Sequence, residues 1–405
     1  MVSFDNTEYA FAYKSTAQLK KARFLFASMG TAWLVNVGLK LIPVAIKWDL
    51  PFTKKIIRNT IFQQFVGGET LAETAKVADK LEEYNVQVIL DYGVEGGESG
   101  EAAFDHSTEE FIKVINYAAT QQNIPFMSIK VTGFARFALL EKLDATMNAA
   151  SGTLMKRYMK AVEELSSDEK KEWHSVRLRM LRICEAANEK KIGVLVDAEE
   201  TWIQDPVDAL TILMMDAFNK NNVVIFNTAQ FYRHDRLKFL HDMYEAAAER
   251  DFILGVKIVR GAYMEKERSR AEEMNYPSPI QPDKLSCDRD YDTAVEFCID
   301  HLKQISVIIA SHNEKSNLLA TDLMQLKNIR FDHPHIHFSQ LYGMSDNITF
   351  NLAATGFKVS KYLPFGPIKD VIPYLMRRAQ ENTSVSGQTG RELSLIKKEL
   401  KRRIK

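Results

Sequence analysis

From residue 86 onward the chain alternates short apolar, β-branched runs with longer stretches whose apolar positions recur at helical spacing. The runs are 86–90, 125–131, 193–196, 223–226, 254–259, 306–310, 335–339 and 357–362. Each is short and bounded by polar or turn-forming residues, which is the pattern of a buried strand. Between them, stretches such as 107–121, 235–250 and 291–304 place apolar residues on one helical face and charges on the other. Eight strand–helix units in succession predict an α/β fold, a (β/α)8 barrel of the TIM type. A doubly wound sheet is the alternative, but no GxGxxG follows an early run.

Two connections are long. Residues 136–191 predict a helical insertion after strand two, and 261–289, with Tyr276, Pro277, Pro279 and Pro282, predict a stretch that includes an irregular loop. Residues 1–85 read as an N-terminal helical region, 86–392 as the barrel and 393–405 as a basic C-terminal tail.

Composition narrows the class. With 405 residues, 46% of them apolar, the chain can bury a large core. Its formal net charge is zero and no basic stripe runs among the aromatics, which argues against a nucleic-acid partner. The three cysteines, Cys184, Cys287 and Cys298, form no CxxC, so neither a disulfide framework nor a zinc site is expected. A reducing compartment, the cytoplasm, fits this usage. The opening MVSFDNTEYAFAY has the features of neither a signal nor a transit peptide. Residues 24–48 are largely apolar, interrupted by Asn36, Lys40 and Pro43 and preceded by Lys20, Lys21 and Arg23. That length approaches the ~20 residues needed to span a bilayer, but a central lysine is costly there. Peripheral contact with the inner face of a membrane is the expectation, with a buried helix and a true span as the other readings.

Barrel enzymes carry their reactive groups at the C-terminal ends of the strands. Strand one is expected to end in Asp91 and Glu95, strand two in Lys130, and strand three in Asp197, Glu199 and Glu200. Strand four ends in Asn227, Thr228 and Gln230. Strand five contains Lys257 and runs into Arg260, Gly261, Ala262 and Tyr263. Strand six gives Ser311, His312 and Asn313, strand seven Gln340, Leu341 and Gly343, and strand eight Tyr362. A polar residue at nearly every strand end is hard to explain by packing. In the following helix, Arg377 and Arg378 can converge on one carboxylate, or pair with Glu381 as an ordinary surface couple. By residue type alone, metal-dependent hydrolases and aldolases also fit such a rim. His333, His335 and His337 alternate as strand residues facing one way would, but no metal site is expected from them.

Residues 257–263, Lys-Ile-Val-Arg-Gly-Ala-Tyr, resemble the KLVRGAY signature of proline dehydrogenases. Residues 361–366, Lys-Tyr-Leu-Pro-Phe-Gly, followed by 373–382, Pro-Tyr-Leu-Met-Arg-Arg-Ala-Gln-Glu-Asn, are similar to that family's closing motif. Val196–Glu200, Phe226–Tyr232 and Gln340–Met344 match as well, in the right order, over about residues 65–382. The resemblance, to the monofunctional FAD-dependent type, implies a distorted (β/α)8 barrel with non-covalent FAD. It implies oxidation of L-proline to 1-pyrroline-5-carboxylate, the first step of proline catabolism, by hydride transfer from proline C5 to flavin N5. Electrons would pass to a quinone, and a separate pyrroline-5-carboxylate dehydrogenase is a candidate partner. By the same resemblance Arg377 and Arg378 would clamp the proline carboxylate with help from Lys130, and Tyr362 and Leu341 would pack on the pyrrolidine ring. Asp197 would shape the charge network near the flavin, Gln230 would reach the isoalloxazine edge, and Lys257 would sit near N5. Arg260, Gly261, Ala262, Ser311 and His312 would hold the rest of the cofactor. Lys257, Asp197 and Tyr362 are thus the expected catalytic residues. Two departures matter: Lys257 is an arginine in bifunctional bacterial members, and the hydroxyproline-oxidising branch has a small residue where this chain has Tyr362.

Overall fold

In a computed structural model of the chain, the described residues are 2–48, 51–93, 100–384 and 388–404. Eight strands form a closed barrel in sequence order: β1 (Gln87–Tyr92), β2 (Phe126–Ile129), β3 (Gly193–Val196), β4 (Ile225–Gln230), β5 (Leu254–Val259), β6 (Ile305–Ala310), β7 (Ile336–Leu341) and β8 (Val359–Phe365). The recorded strand pairs are all parallel, and β1 pairs with β8 from Gln87–Ser360 to Tyr92–Phe365, within the closed order. Strands buried on both sides need apolar residues in succession, which is why the sequence shows runs rather than strict alternation.

The expected runs fall on the strands, with different ends. β3 and β5 match residue for residue, whereas β1, β4, β7 and β8 extend further toward their C-termini. Asn227, Thr228 and Gln230, expected just beyond strand four, therefore lie inside β4. Polar residues are tolerated there because alternate side chains point to opposite sides of the sheet, and each side offers hydrogen-bond partners.

By contact pattern the chain divides into two compact units, residues 94–337 and residues 1–93 with 338–405. The first holds β2 to β6 and the insertion, which consists of helices Phe137–Ala149, Leu154–Glu163 and Ser167–Lys190. Ser166 and Glu169 close a capping box at the start of the last of these. The long connection after β5 holds the helix Met264–Glu273 and then, over 274–283, the irregular loop that its prolines predict.

The second unit combines both ends of the chain. Helices α1 (Thr7–Phe11), α2 (Thr16–Met29), α3 (Ala32–Lys47), α4 (Thr53–Ile57) and, after short helical turns over 58–65, Leu71–Glu82 precede β1, and helices Asp346–Thr355, Ile368–Ser384 and Gln388–Arg402 follow in the C-terminal part. Phe11, Leu19, Phe26, Phe65, Val371 and Leu395 share one core. The basic residues of the C-terminal tail lie on or next to a helix whose Leu395, Ile396 and Leu400 are buried. An amphipathic helix hides an apolar stripe behind a charged face, and the charges dominate the sequence pattern.

Candidate active site

Within residues 94–337, the ends of β2, β3 and β5 bring three charged groups together. The Lys257 ammonium donates to Asp197 Oδ1, and Lys130 Nζ lies 3.8 Å from Asp197 Oδ2. All three residues are buried. A buried carboxylate between two ammonium groups is matched in charge, and it holds both cations in fixed places.

Beside them, Glu199 accepts from the Thr132 hydroxyl at 2.6 Å. Burial pushes its carboxyl up to about 7, against the lowering effect of the Thr132 hydrogen bond and the Lys130 charge. The Glu199 carbonyl receives the Gln230 amide at 3.1 Å. Sequence type alone did not pair Thr132 with Glu199, which stand 67 positions apart.

Strand alternation places the side chains of β4. Asn227 donates to Asp208 Oδ1 of helix Thr201–Phe218, on the helix side of the sheet. Thr228 and Gln230 are close to buried completely, and the parity of Thr228 and Gln230 differs by one from Asn227 and Ala229 respectively, so both face the lumen. Thr228 Oγ1 and Gln230 Oε1 are buried and lack a hydrogen-bond partner. Such atoms are rare in folded proteins and call for a partner that binds there.

The end of β5 is built around Arg260. Its guanidinium donates to Asp288 Oδ1 at 2.8 Å, Ser311 Oγ at 2.8 Å and Ser316 Oγ at 2.9 Å, and lies over the Tyr291 ring. Gly261 follows with φ of +135°, and a Cβ there would come within 2.5 Å of the Tyr232 ring. Only glycine fits, because the Tyr232 ring packs directly against this backbone. Ala262 is exposed and His312 is half-buried.

Within the other unit, Leu341 and Tyr362 are partners in the β7–β8 register, both half-buried. In helix Ile368–Ser384, Arg377 is half-buried and Arg378 buried. Arg378 Nη2 donates to Glu381 Oε1 at 2.6 Å, and its guanidinium lies over the Tyr374 ring. The helical couple with Glu381 that the spacing allowed is therefore formed. Asp91 is buried at β1, and Glu95 lies outside the described residues.

The three alternating histidines do not share a strand face, because β7 begins only at Ile336. His335 Nδ1 is 2.7 Å from the Leu302 carbonyl, and His337 packs edge-on against Phe126. Among the described residues, no group of three or more His, Cys, Asp or Glu is placed to hold a metal ion.

The chemistry of the first rim suits a flavin. An unpartnered amide oxygen and hydroxyl in the lumen can meet the N3–H and the carbonyl oxygens of an isoalloxazine edge, and a buried ammonium suits the charge that arrives on reduction.

The family model described as proline dehydrogenase matches residues 74–391. A carbapenem antibiotics biosynthesis protein, CarD, of Pectobacterium carotovorum subsp. carotovorum is 36% identical over 342 residues, 84% of each chain. Proline dehydrogenase 1, mitochondrial, of Dictyostelium discoideum is 33% identical over 86% of this chain and 66% of its own. A hydroxyproline dehydrogenase of Xenopus laevis is 30% identical over 97% of this chain and 89% of its own. Among solved structures, proline utilization A (PutA) from Bdellovibrio bacteriovorus superposes with a TM-score of 0.75 at 17% identity, over 98% of this chain and 44% of that one, and so shares the fold. The chain therefore belongs to the proline dehydrogenase family, and it is an oxidoreductase that acts on proline.

Proposed function

We propose that the protein oxidises L-proline to 1-pyrroline-5-carboxylate with a non-covalently bound FAD, and that the electrons continue to a quinone. The observation that carries the reading is the pair of buried, unpartnered acceptors Thr228 Oγ1 and Gln230 Oε1 beside the Asp197–Lys257 ion pair. Bound FAD would supply a two-electron acceptor for the C5 hydride. Gln230, Lys257, Arg260, Gly261, Ala262, Ser311 and His312 would hold it. Arg377 and Arg378 would clamp the substrate carboxylate with Lys130, and Tyr362 and Leu341 would pack on the ring.

The residues have distinct tasks. A fixed carboxylate clamp removes translational freedom and aims one ring carbon. The buried Lys257 ammonium would favour negative charge developing near it, and Asp197 would keep that ammonium in place. The substrate must arrive as the neutral amine, since an ammonium has no lone pair to assist departure of hydride. Loss of hydride from the neutral amine leaves a cyclic iminium, which becomes the imine by giving up its N–H proton, and a separate pyrroline-5-carboxylate dehydrogenase would consume that product.

Peripheral membrane contact is part of the proposal. In α3, Trp33, Val37 and Leu41 are exposed at four-residue spacing, while Val35 on the other side is buried. Lys20, Lys21, Arg23, Lys40, Lys54 and Lys55 are exposed on or near this helix. No helix among the described residues is long and apolar enough to cross a membrane. An apolar face rimmed by cations suits the surface of an anionic bilayer, with the helix lying flat. The three cysteines are free, in keeping with a cytoplasmic setting.

The deciding experiment is anaerobic mixing of purified protein with L-proline while flavin absorbance is followed. Bleaching of the flavin absorbance is the expected result. A colourless protein that cannot be reconstituted with FAD overturns the reading.

A further inference from the structure

Lys361 is the side chain in the second unit that the site described so far leaves unexplained. It precedes Tyr362 on β8 and is fully buried, although it carries an ammonium. Burying an ammonium without partners costs several kcal/mol, so its surroundings must supply acceptors. They do: Nζ meets the Met344 carbonyl at 2.5 Å, the Leu341 carbonyl at 3.4 Å and Asp346 Oδ1 at 2.9 Å. Both carbonyls belong to the turn that leaves β7.

That turn is tightly constrained. Gly343 has φ of +79° and Ser345 has φ of +50°, so two left-handed residues stand two apart. A Cβ on Gly343 would come within 2.0 Å of the Gln64 carbonyl, and Gln64 Nε2 donates to the Gly343 carbonyl at 2.7 Å. The Ser345 amide donates to the buried carboxylate of Glu392. Asp346 completes the cluster by accepting from the Tyr13 hydroxyl at 2.8 Å and facing Lys14 Nζ at 3.0 Å. Burial pushes the Asp346 carboxyl up, but Lys14 and Lys361 outweigh this and hold it at about 2.

The register converts this cluster into a statement about the site. Gln340 is opposite Lys361 and Leu341 is opposite Tyr362, and the Tyr342 amide donates to the Tyr362 carbonyl at 2.9 Å. Lys361 thus ties the exit of β7 to β8 at the level where Leu341 and Tyr362 face each other. Its side chain points to the helix side, where Asp346 begins helix Asp346–Thr355, and strand alternation turns Tyr362 the other way.

We propose that Lys361 is a positioning residue: through the Leu341 and Met344 carbonyls and Asp346, its buried ammonium sets the spacing of Leu341 and Tyr362 and so determines how tightly the ring of the substrate is held. The proposal rests on the assignment of Leu341 and Tyr362 to the proline ring. It also gives the two ends of the chain a part in the site, because Tyr13, Lys14 and Gln64 from the start and Glu392 from the end hold the same turn.

The test compares Lys361→Met, which keeps length and loses charge, with the milder Tyr13→Phe and with Leu395→Ala, a core truncation outside the cluster. Two readouts are taken, hydrogen exchange of the amides at 342–345 and steady-state kinetics with L-proline. Lys361→Met is expected to speed exchange and to raise KM about tenfold while kcat stays within about threefold, the mark of lost uniform binding. Tyr13→Phe should shift both in the same direction by about two- to fivefold, roughly one hydrogen bond. Leu395→Ala should lower the melting temperature and leave KM in place. Faster exchange with unchanged KM in Lys361→Met overturns the proposal, as does a KM rise no larger than that of Leu395→Ala. Where Lys361→Met fails to fold, an unchanged KM in Tyr13→Phe overturns it. Failure of the unmodified protein to bleach with proline strikes instead at the flavin and substrate assignment, and the exchange data still report whether Lys361 holds the turn.

Discussion

The Lys257 ammonium is buried against the Asp197 carboxylate, so that β5 and β3 are joined by charge across 60 positions of sequence. Lys257→Met removes one of the two cations beside Asp197 and leaves a buried carboxylate less well matched. Breaking a buried pair in this way costs about 3–5 kcal/mol, and loss of one electrostatic group at a reacting centre lowers kcat about 100- to 1000-fold. Denaturant unfolding and turnover, measured on the same preparation, check both effects. Lys257→Arg, which keeps the charge, should retain most of the activity.

The orphaned acceptors give a cofactor prediction that does not depend on turnover. Gln230→Leu removes the lone Oε1, and one hydrogen bond is worth about 1 kcal/mol, or about fivefold in affinity. Titration of apoprotein with FAD, followed by flavin fluorescence, should show that weakening. The stability of the apoprotein should change less, because what it loses is the bond from Nε2 to the Glu199 carbonyl and a long one, at 3.5 Å, to the Tyr232 hydroxyl. Heat treatment of the holoprotein should release the chromophore into solution, as a non-covalent cofactor requires.

Tyr362 bears on the choice between proline and 4-hydroxyproline, a choice made real by the hydroxyproline dehydrogenase of Xenopus laevis among the relatives. A bulky aromatic at the far edge of the ring leaves little room for a C4 hydroxyl, and overfilling costs about 1–3 kcal/mol. We expect kcat/KM for L-proline to exceed that for trans-4-hydroxy-L-proline by about tenfold or more. Tyr362→Ser should narrow the gap, mostly by loss on proline. Equal efficiency on both substrates in the unmodified enzyme would refute this assignment.

Glu199 sets a pH dependence. Its carboxyl is raised by burial to about 7, above its value in the unfolded chain, so the native state binds the extra proton. The stability it contributes is complete below the unfolded value and is lost as pH rises through about 7. Melting temperatures across this interval should therefore fall with pH in the unmodified protein and fall less steeply in Glu199→Gln. A steeper fall in the variant would reverse the assigned sign.

Membrane docking is checked by flotation with vesicles. Binding to vesicles rich in anionic lipid is expected at low salt, with weakening as salt screens the basic rim. Trp33→Ser and Leu41→Ser remove exposed apolar anchors of α3 and should each reduce the bound fraction. Absence of binding to anionic vesicles at low salt counts against the proposal, and self-association through the same face would appear as a dimer in sedimentation.

The sequence by itself determined the alternation of strands and helices and the barrel class, because local periodicity reports which face of an element is buried. It placed Lys257 within strand five and Arg260 just past it, and the structure has both there. The motifs at 257–263 and 361–366 carried the family as well. Tertiary structure alone decided the partners. Asp197 and Lys257 are 60 positions apart, Glu199 and Thr132 are 67, and Tyr13 and Asp346 are 333, and no local pattern links such pairs. It alone showed that Lys361, an ordinary polar position in a motif, is a buried cation, and that the basic tail conceals a core helix. The physical reason is the same in each case. A residue's neighbours along the chain fix its element and its face, while strand register and the packing of distant helices fix what that face meets.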